Sequence, residues 1–177
     1  MSQPSQIYPT YFKVADMHPE IKHFLYEAED HYLQTEEIAS FKHHVSSLAE
    51  RLETYELLRD NEIAIFQPIA DQMLAAFPQH KQETLERALK NWIAVLRYSA
   101  MAMLLNNPEF LQYRLLEWLT EIAQVHQMQA IDTTLYQLLQ TRLSELLSSE
   151  QTALLQPFLT QTEQSIFGAA NLAQMPG

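Results

Sequence analysis

Residues Leu85 to Leu105, LERALKNWIAVLRYSAMAMLL, decide the fold. Apolar side chains recur at Leu85, Leu89, Trp92, Ile93, Leu96, Ala100, Met103 and Leu104, the three-and-four spacing of one helical face. Val95, Met101 and Leu105 widen that face until little of the circumference is polar. A helix apolar almost all round is a buried one. Arg87, Lys90, Asn91 and Arg97 interrupt the run, which is too short and too broken to span a membrane. The stretch predicts a central helix with the others wrapped around it.

Upstream, Ile38, Phe41, Val45, Leu48, Leu52 and Tyr55 alternate steps of three and four, a strict heptad stripe. It is too short for a free coiled coil, so it is expected to pack inside the domain. Thr35 before Glu36 and Glu37 is the expected N-cap of this helix, with carboxylates in its first turn. Leu57 to Asn61 should break it. Ile63, Phe66, Ile69, Ala70, Met73, Leu74 and Phe77 mark the next helix, which Pro68 should start or kink. Gln79 to Glu83 is a short polar link into the central helix.

Downstream, Asn106-Asn107-Pro108 is a turn signal. Phe110, Leu111, Leu115, Trp118, Leu119 and Ile122 form an amphipathic stretch, with a weak break at 127–130. Ile131, Leu135, Leu138, Leu139, Leu143, Leu146 and Leu147 give another helix, with Asp132 as a candidate cap. The last helix opens at Ser148-Ser149-Glu150, contains Pro157, and should end at Gly168. At the N-terminus Pro19 suits the first turn of a short helix with Ile21, Phe24, Leu25 and Ala28 on its apolar face. The expected organisation is an arm over 1–16, one all-α domain over 17–168 and a tail over 169–177. Trp92, Leu96, Phe66 and Leu48 are its expected core residues.

The 177 residues are 47% hydrophobic, enough for a real core within ordinary single-domain size. The two glycines, Gly168 and Gly177, exclude phosphate-binding loops that need glycines at fixed spacing. The chain has no cysteine, so thiolate chemistry is absent, and a reducing cytoplasm is the compartment that fits. Met1 to Thr10 has neither the basic region nor the apolar core of a signal peptide. A net charge of −11 repels phosphate backbones, so nucleic acid is not an expected partner. Of the seven histidines, His43 and His44 are adjacent and point about 100° apart on a helix, which excludes a shared metal. No glutamate precedes His31 or His126 by three residues, as di-iron bundles require. The central helix has no histidine to serve as a haem ligand. No metal site and no catalytic constellation are expected, and the chain reads as non-enzymatic.

Three segments carry a resemblance. Leu96-Arg97-Tyr98-Ser99-Ala100 resembles the central helix of the phycobiliproteins, the bilin-carrying globin-like subunits of phycobilisomes. RLETYELLRDNEIAIFQPIADQMLAAFP, from Arg51 to Pro78, resembles the family segment that precedes that helix. Glu29-Asp30-His31-Tyr32-Leu33-Gln34 resembles its acidic-to-aromatic junction, and the likeness runs from about Ala28 to Ile166. The resemblance implies a globin-like fold with an N-terminal helical arm that packs on a partner, giving a homodimer or heterodimer. In the family, a cysteine on the central helix holds the bilin, and an aspartate one turn on accepts the pyrrole N–H bonds. The matching positions here are Ala88 and Asn91. The resemblance thus implies no covalent pigment and at most a loosely held bilin near Ala88, Asn91, Trp92, Arg97 and Tyr98. The family's arginine at the Arg97 position pairs with an acid near the N-terminal helices, which makes Glu27, Glu29 and Asp30 candidate interface partners.

The function the resemblance implies is that of a phycobiliprotein-like globin assisting bilin biosynthesis or phycobiliprotein supply, by contact with bilin-making enzymes. Its location would be cytoplasmic, beside phycobilisomes at the thylakoid surface. Two alternatives stay open: an apo structural subunit of the phycobilisome, and a haem-free sensor globin binding a lipid or pigment.

Overall fold

The computed structural model describes residues 19–126 and 129–173, and the chain is all-α. The expected arm over 1–16 lies outside the described residues. The chain divides into two compact units, Met1–Ser47 and Leu48–Gly177, with the division falling inside the second helix.

The first unit holds α1 (Pro19–Asp30) and the opening of α2 (Thr35–Asp60). Pro19 starts α1, where its missing N–H costs nothing. Phe24 is buried and meets Phe41 edge-on, with ring centroids 5.1 Å apart. The cap of α2 is Gln34 rather than Thr35. Its carbonyl accepts from Ile38 N–H at 2.9 Å, and its own N–H donates to Glu37 Oε2 at 2.7 Å. Glu37 is the third helical residue, so its carboxylate can reach back to the cap as in the second half of a capping box. Of the heptad stripe of α2, Tyr55 packs against the core, whereas the five residues before it remain substantially exposed. Ile38, Phe41, Val45, Leu48 and Leu52 are between 40% and 50% exposed, so Leu48 is not a core residue. A heptad stripe specifies a helix suited to a partner, and says nothing of whether the same chain supplies it.

The second unit continues α2 and adds α3 (Glu62–Ala76), α4 (Gln82–Leu105), α5 (Pro108–Leu111), α6 (Glu117–His126), α7 (Gln129–Leu146) and α8 (Ser149–Ala173). α4 is the central helix, packing on α3, α5, α7 and α8. Leu85, Ala88, Trp92, Val95, Leu96, Ser99, Ala100, Ala102 and Met103 are buried on it. Phe66 is buried too, as expected. Ala88, Ser99, Ala100 and Ala102 are small as well as buried, and Trp92 is among the largest fully buried side chains.

The breaks are capped by the residues the sequence places there. Asn106 takes the left-handed conformation that ends α4, at φ 47°, and Asn107 N–H bonds the Ala102 carbonyl at 2.9 Å. The Asn107 side chain then accepts from Phe110 N–H, capping α5. Buried Arg51 donates to the Leu104 carbonyl at 2.9 Å, which ties α2 to the end of α4. Ser148 and Gln151 form a reciprocal capping box at the start of α8.

Pro68 sits inside α3. It has no N–H for the Ala64 carbonyl four residues back. Arg142 of α7 supplies the missing donor, Nη2 to that carbonyl at 3.1 Å, and also pairs with Glu145. Gly168 does not end α8, which runs on to Ala173; a Cβ there would meet nothing within 4 Å.

α5 and α6 are joined by one π-helical turn, Gln112–Leu116. Such a turn spaces bonded residues five apart instead of four. Leu111, Leu115, Leu116 and Leu119 consequently all face inward and are buried, whereas Trp118, expected on the apolar face, is 38% exposed. Its indole donates to the Arg114 carbonyl instead.

Candidate functional site

The five residues expected to share a pocket fall into two groups. Ala88 is fully buried. Trp92 lies one turn on, on the same face of α4, and is 1% exposed. Its ring packs on Tyr136 of α7 and Phe167 of α8, with centroids 5.5 and 6.4 Å away, the second nearly parallel. Its Nε1–H donates to Asp132 Oδ1 at 2.9 Å. Asp132 is therefore not the cap expected of it. It lies in the first turn of α7, and its carboxylate serves the tryptophan. Burial raises its pKa above the ordinary aspartate value, and the indole bond opposes that rise.

The polar edge of this cluster continues outward. Tyr136 OH donates to Glu163 Oε2 at 3.0 Å and accepts from Gln140 Nε2 at 2.7 Å. Burial, together with the glutamate beside it, pushes its phenol up to about 12. Around Trp92, then, a phenol and a phenyl ring pack on the indole, and the indole N–H meets a carboxylate. Asn91 is half-buried.

Arg97 and Tyr98 belong elsewhere, to a cleft of ≈ 410 Å³ between α2, α3, α4 and α5. Leu58, Leu96 and Ala100 form its floor, with Tyr55, Met101, Tyr98 and Phe110 along the sides. Tyr98 and Phe110 stack at 5.9 Å. The charged residues at the cleft are Arg59, Glu62 and Arg97. Within the chain Arg97 has the carboxylate that an arginine on such a helix requires, that of Glu62. Nε donates to Oε2 at 2.6 Å and Nη2 to Oε1 at 2.5 Å, a bidentate pair. Glu62 opens α3, directly after the break at Asn61, and α3 packs on α4. The local break thus sets the partner.

On the first unit Glu27, His31 and Glu37 gather their ligating atoms within 4.8 Å of one another. The sequence scan missed this group because it tested glutamates three residues before a histidine. Here Glu27 is four before His31, and Glu37 comes from the next helix. His31 Nε2 donates to Glu37 at 3.2 Å. The Gln34 N–H, then His31, hold the Glu37 carboxyl below its usual range. These are the contacts of a helix start.

A helical domain wrapped around one buried apolar helix has the layout of a globin-like module. The chain belongs to the phycobilisome protein family: the model described as "Phycobilisome protein" matches residues 25–166. No curated protein and no solved structure matches the chain. With no cysteine anywhere in the sequence, a thioether-linked bilin cannot form. Among the described residues no helix is long and apolar enough to cross a membrane.

Proposed function

We propose that this chain is a non-enzymatic phycobiliprotein relative that works through protein contacts, assisting bilin supply beside bilin-making enzymes, and carries no fixed pigment of its own. The observation behind this is Trp92. Its ring packs against Tyr136 and Phe167 one turn from Ala88, where the family's pigment attaches, and its N–H occupies the Asp132 carboxylate. Asn91 offers a bilin a neutral amide in place of a carboxylate, so a bilin there is held weakly, reversibly and without the counter-ion that favours a protonated chromophore. The partners in this reading are a haem oxygenase or a bilin reductase in the cytoplasm.

The exposed apolar residues of α2 favour a second reading, that of an apo assembly subunit joined to itself or to a phycobiliprotein through its N-terminal helices. A heptad stripe left 40–50% exposed has the spacing of a helix suited to a helical partner. Capture experiments with the tagged chain separate the two. Retention of purified bilin-making enzymes is expected under the first reading, and retention of phycobilisome subunits alone under the second. A tight red-absorbing complex of the chain with biliverdin would overturn both.

A further inference from the structure

The cleft beside Arg97 is independent of the space around Ala88, and nothing in the reading above uses it. Its walls are apolar and partly aromatic, and its charged groups lie together. Arg97 is 65% exposed yet already holds one carboxylate, that of Glu62, in the two-bond fork a guanidinium offers to a planar anion. Its two bonds use two of five donors. Arg59, 58% exposed, pairs through Nε with Asp60. Two guanidinium groups at one cleft stand out in a chain of net charge −11, where a free anion is otherwise repelled.

We propose that this cleft binds a small amphipathic carboxylate. Its apolar body lies along Met101 and the stacked Tyr98–Phe110 pair, and its head group exchanges with Glu62 on Arg97 while Arg59 adds a second cation. The chemistry is that of a recognition pocket, an apolar slot with a few convergent polar groups, within the usual size range for such sites. At interior packing density of about 0.74, a ≈ 410 Å³ cleft is filled by roughly 300 Å³ of ligand. That suits a medium-chain acyl body, or one end of a linear tetrapyrrole reaching in with a propionate. Both sources share the carboxylate on an apolar stem.

The exchange makes a prediction of opposite signs at two residues. With dodecanoate as probe and calorimetry as readout, Arg97→Gln weakens binding about tenfold, the effect expected for loss of a charge-assisted fork. Glu62→Gln tightens it several-fold, because the resident competitor is gone. Dodecan-1-ol responds to neither substitution. In a methyl-labelled sample the Met101 methyl shifts on titration while Met73 and Met103, which do not line the cleft, stay put. Biliverdin and its dimethyl ester form the second arm: if the acid follows the dodecanoate pattern and the ester does not, the tetrapyrrole is the source. The proposal is overturned if neither carboxylate moves the Met101 methyl, or if affinity ignores both substitutions. It is equally overturned if that methyl shifts with protein concentration alone, which would mean a second copy covers the cleft. Both substituted side chains are solvent-accessible, so unchanged unfolding midpoints show that the fold is intact.

Discussion

Trp92→Phe tests the bond that joins the central helix to the first turn of α7. The substitution keeps an aromatic ring in contact with Tyr136 and Phe167 but removes the donor that serves Asp132. Two losses add. A hydrogen bond to a charged acceptor contributes about 1.5–3 kcal/mol, and the partial exposure of Asp132 puts this one near the lower end. The smaller ring leaves unfilled space in a site 1% exposed, costing about 1 kcal/mol more. The sum, roughly 2–3 kcal/mol at pH 7, should lower the urea midpoint by about 1 M for an m-value near 2 kcal/mol/M. The cost should shrink on acidification. The indole bond favours the ionised carboxylate, so its loss matters least where Asp132 is protonated. It should also shrink by about 1 kcal/mol in an Asp132→Asn background, where only a neutral acceptor remains. Equal costs at pH 4 and pH 7, together with no coupling to position 132, would refute the assignment of this bond as a stabilising contact to an ionised Asp132.

Three further outcomes are expected. Asp132→Asn alone should leave stability at pH 7 unchanged or raised. Because the folded-state pKa is lifted above 3.8, wild-type stability from this group is full below about pH 3.8 and declines as pH rises through the raised value; thermal melts of the variant should lack that decline. Arg142→Met should cost about 1–3 kcal/mol by leaving the Ala64 carbonyl without its donor, and Pro68→Ala in the same chain should recover part of it, as chemical denaturation would show. Removal of residues 1–34 should reduce a dimer to a monomer in sedimentation, while an unchanged mass would exclude assembly through the N-terminal helices.

The sequence made the helices legible and left their coverings hidden. The run from Leu85 to Leu105 is apolar on so many sides that only a central position suits it, and α4 occupies that position. The stripe of α2 has equally regular spacing, yet most of its residues are exposed, because periodicity marks an apolar face without naming what lies against it. The π turn shifts the register by one residue, too little for a spacing pattern to reveal, and it moved Trp118 outward. At the candidate site the decisive partners are distant in sequence: Trp92 meets Asp132 across 40 positions, and Arg97 meets Glu62 across 35. Asp132 near a helix start reads naturally as a cap. Only the approach of α7 to α4 gives it a buried indole to serve.

These two partnerships turn the two faces of α4 to different ends. On one face a donor and an acceptor from within the chain satisfy each other in a part-buried bond worth on the order of 1–2 kcal/mol, with aromatic rings packed on the donor. On the other face the pair Arg97–Glu62 is largely exposed, and exposed pairs contribute at most about 1 kcal/mol, so exchanging one carboxylate for another costs little. The same helix therefore carries a closed polar contact at Trp92 and a low-barrier ionic exchange at the Arg97 cleft. The Arg97 cleft, with the Glu62 carboxylate already seated on its guanidinium, is therefore where a small acid meets the least resistance.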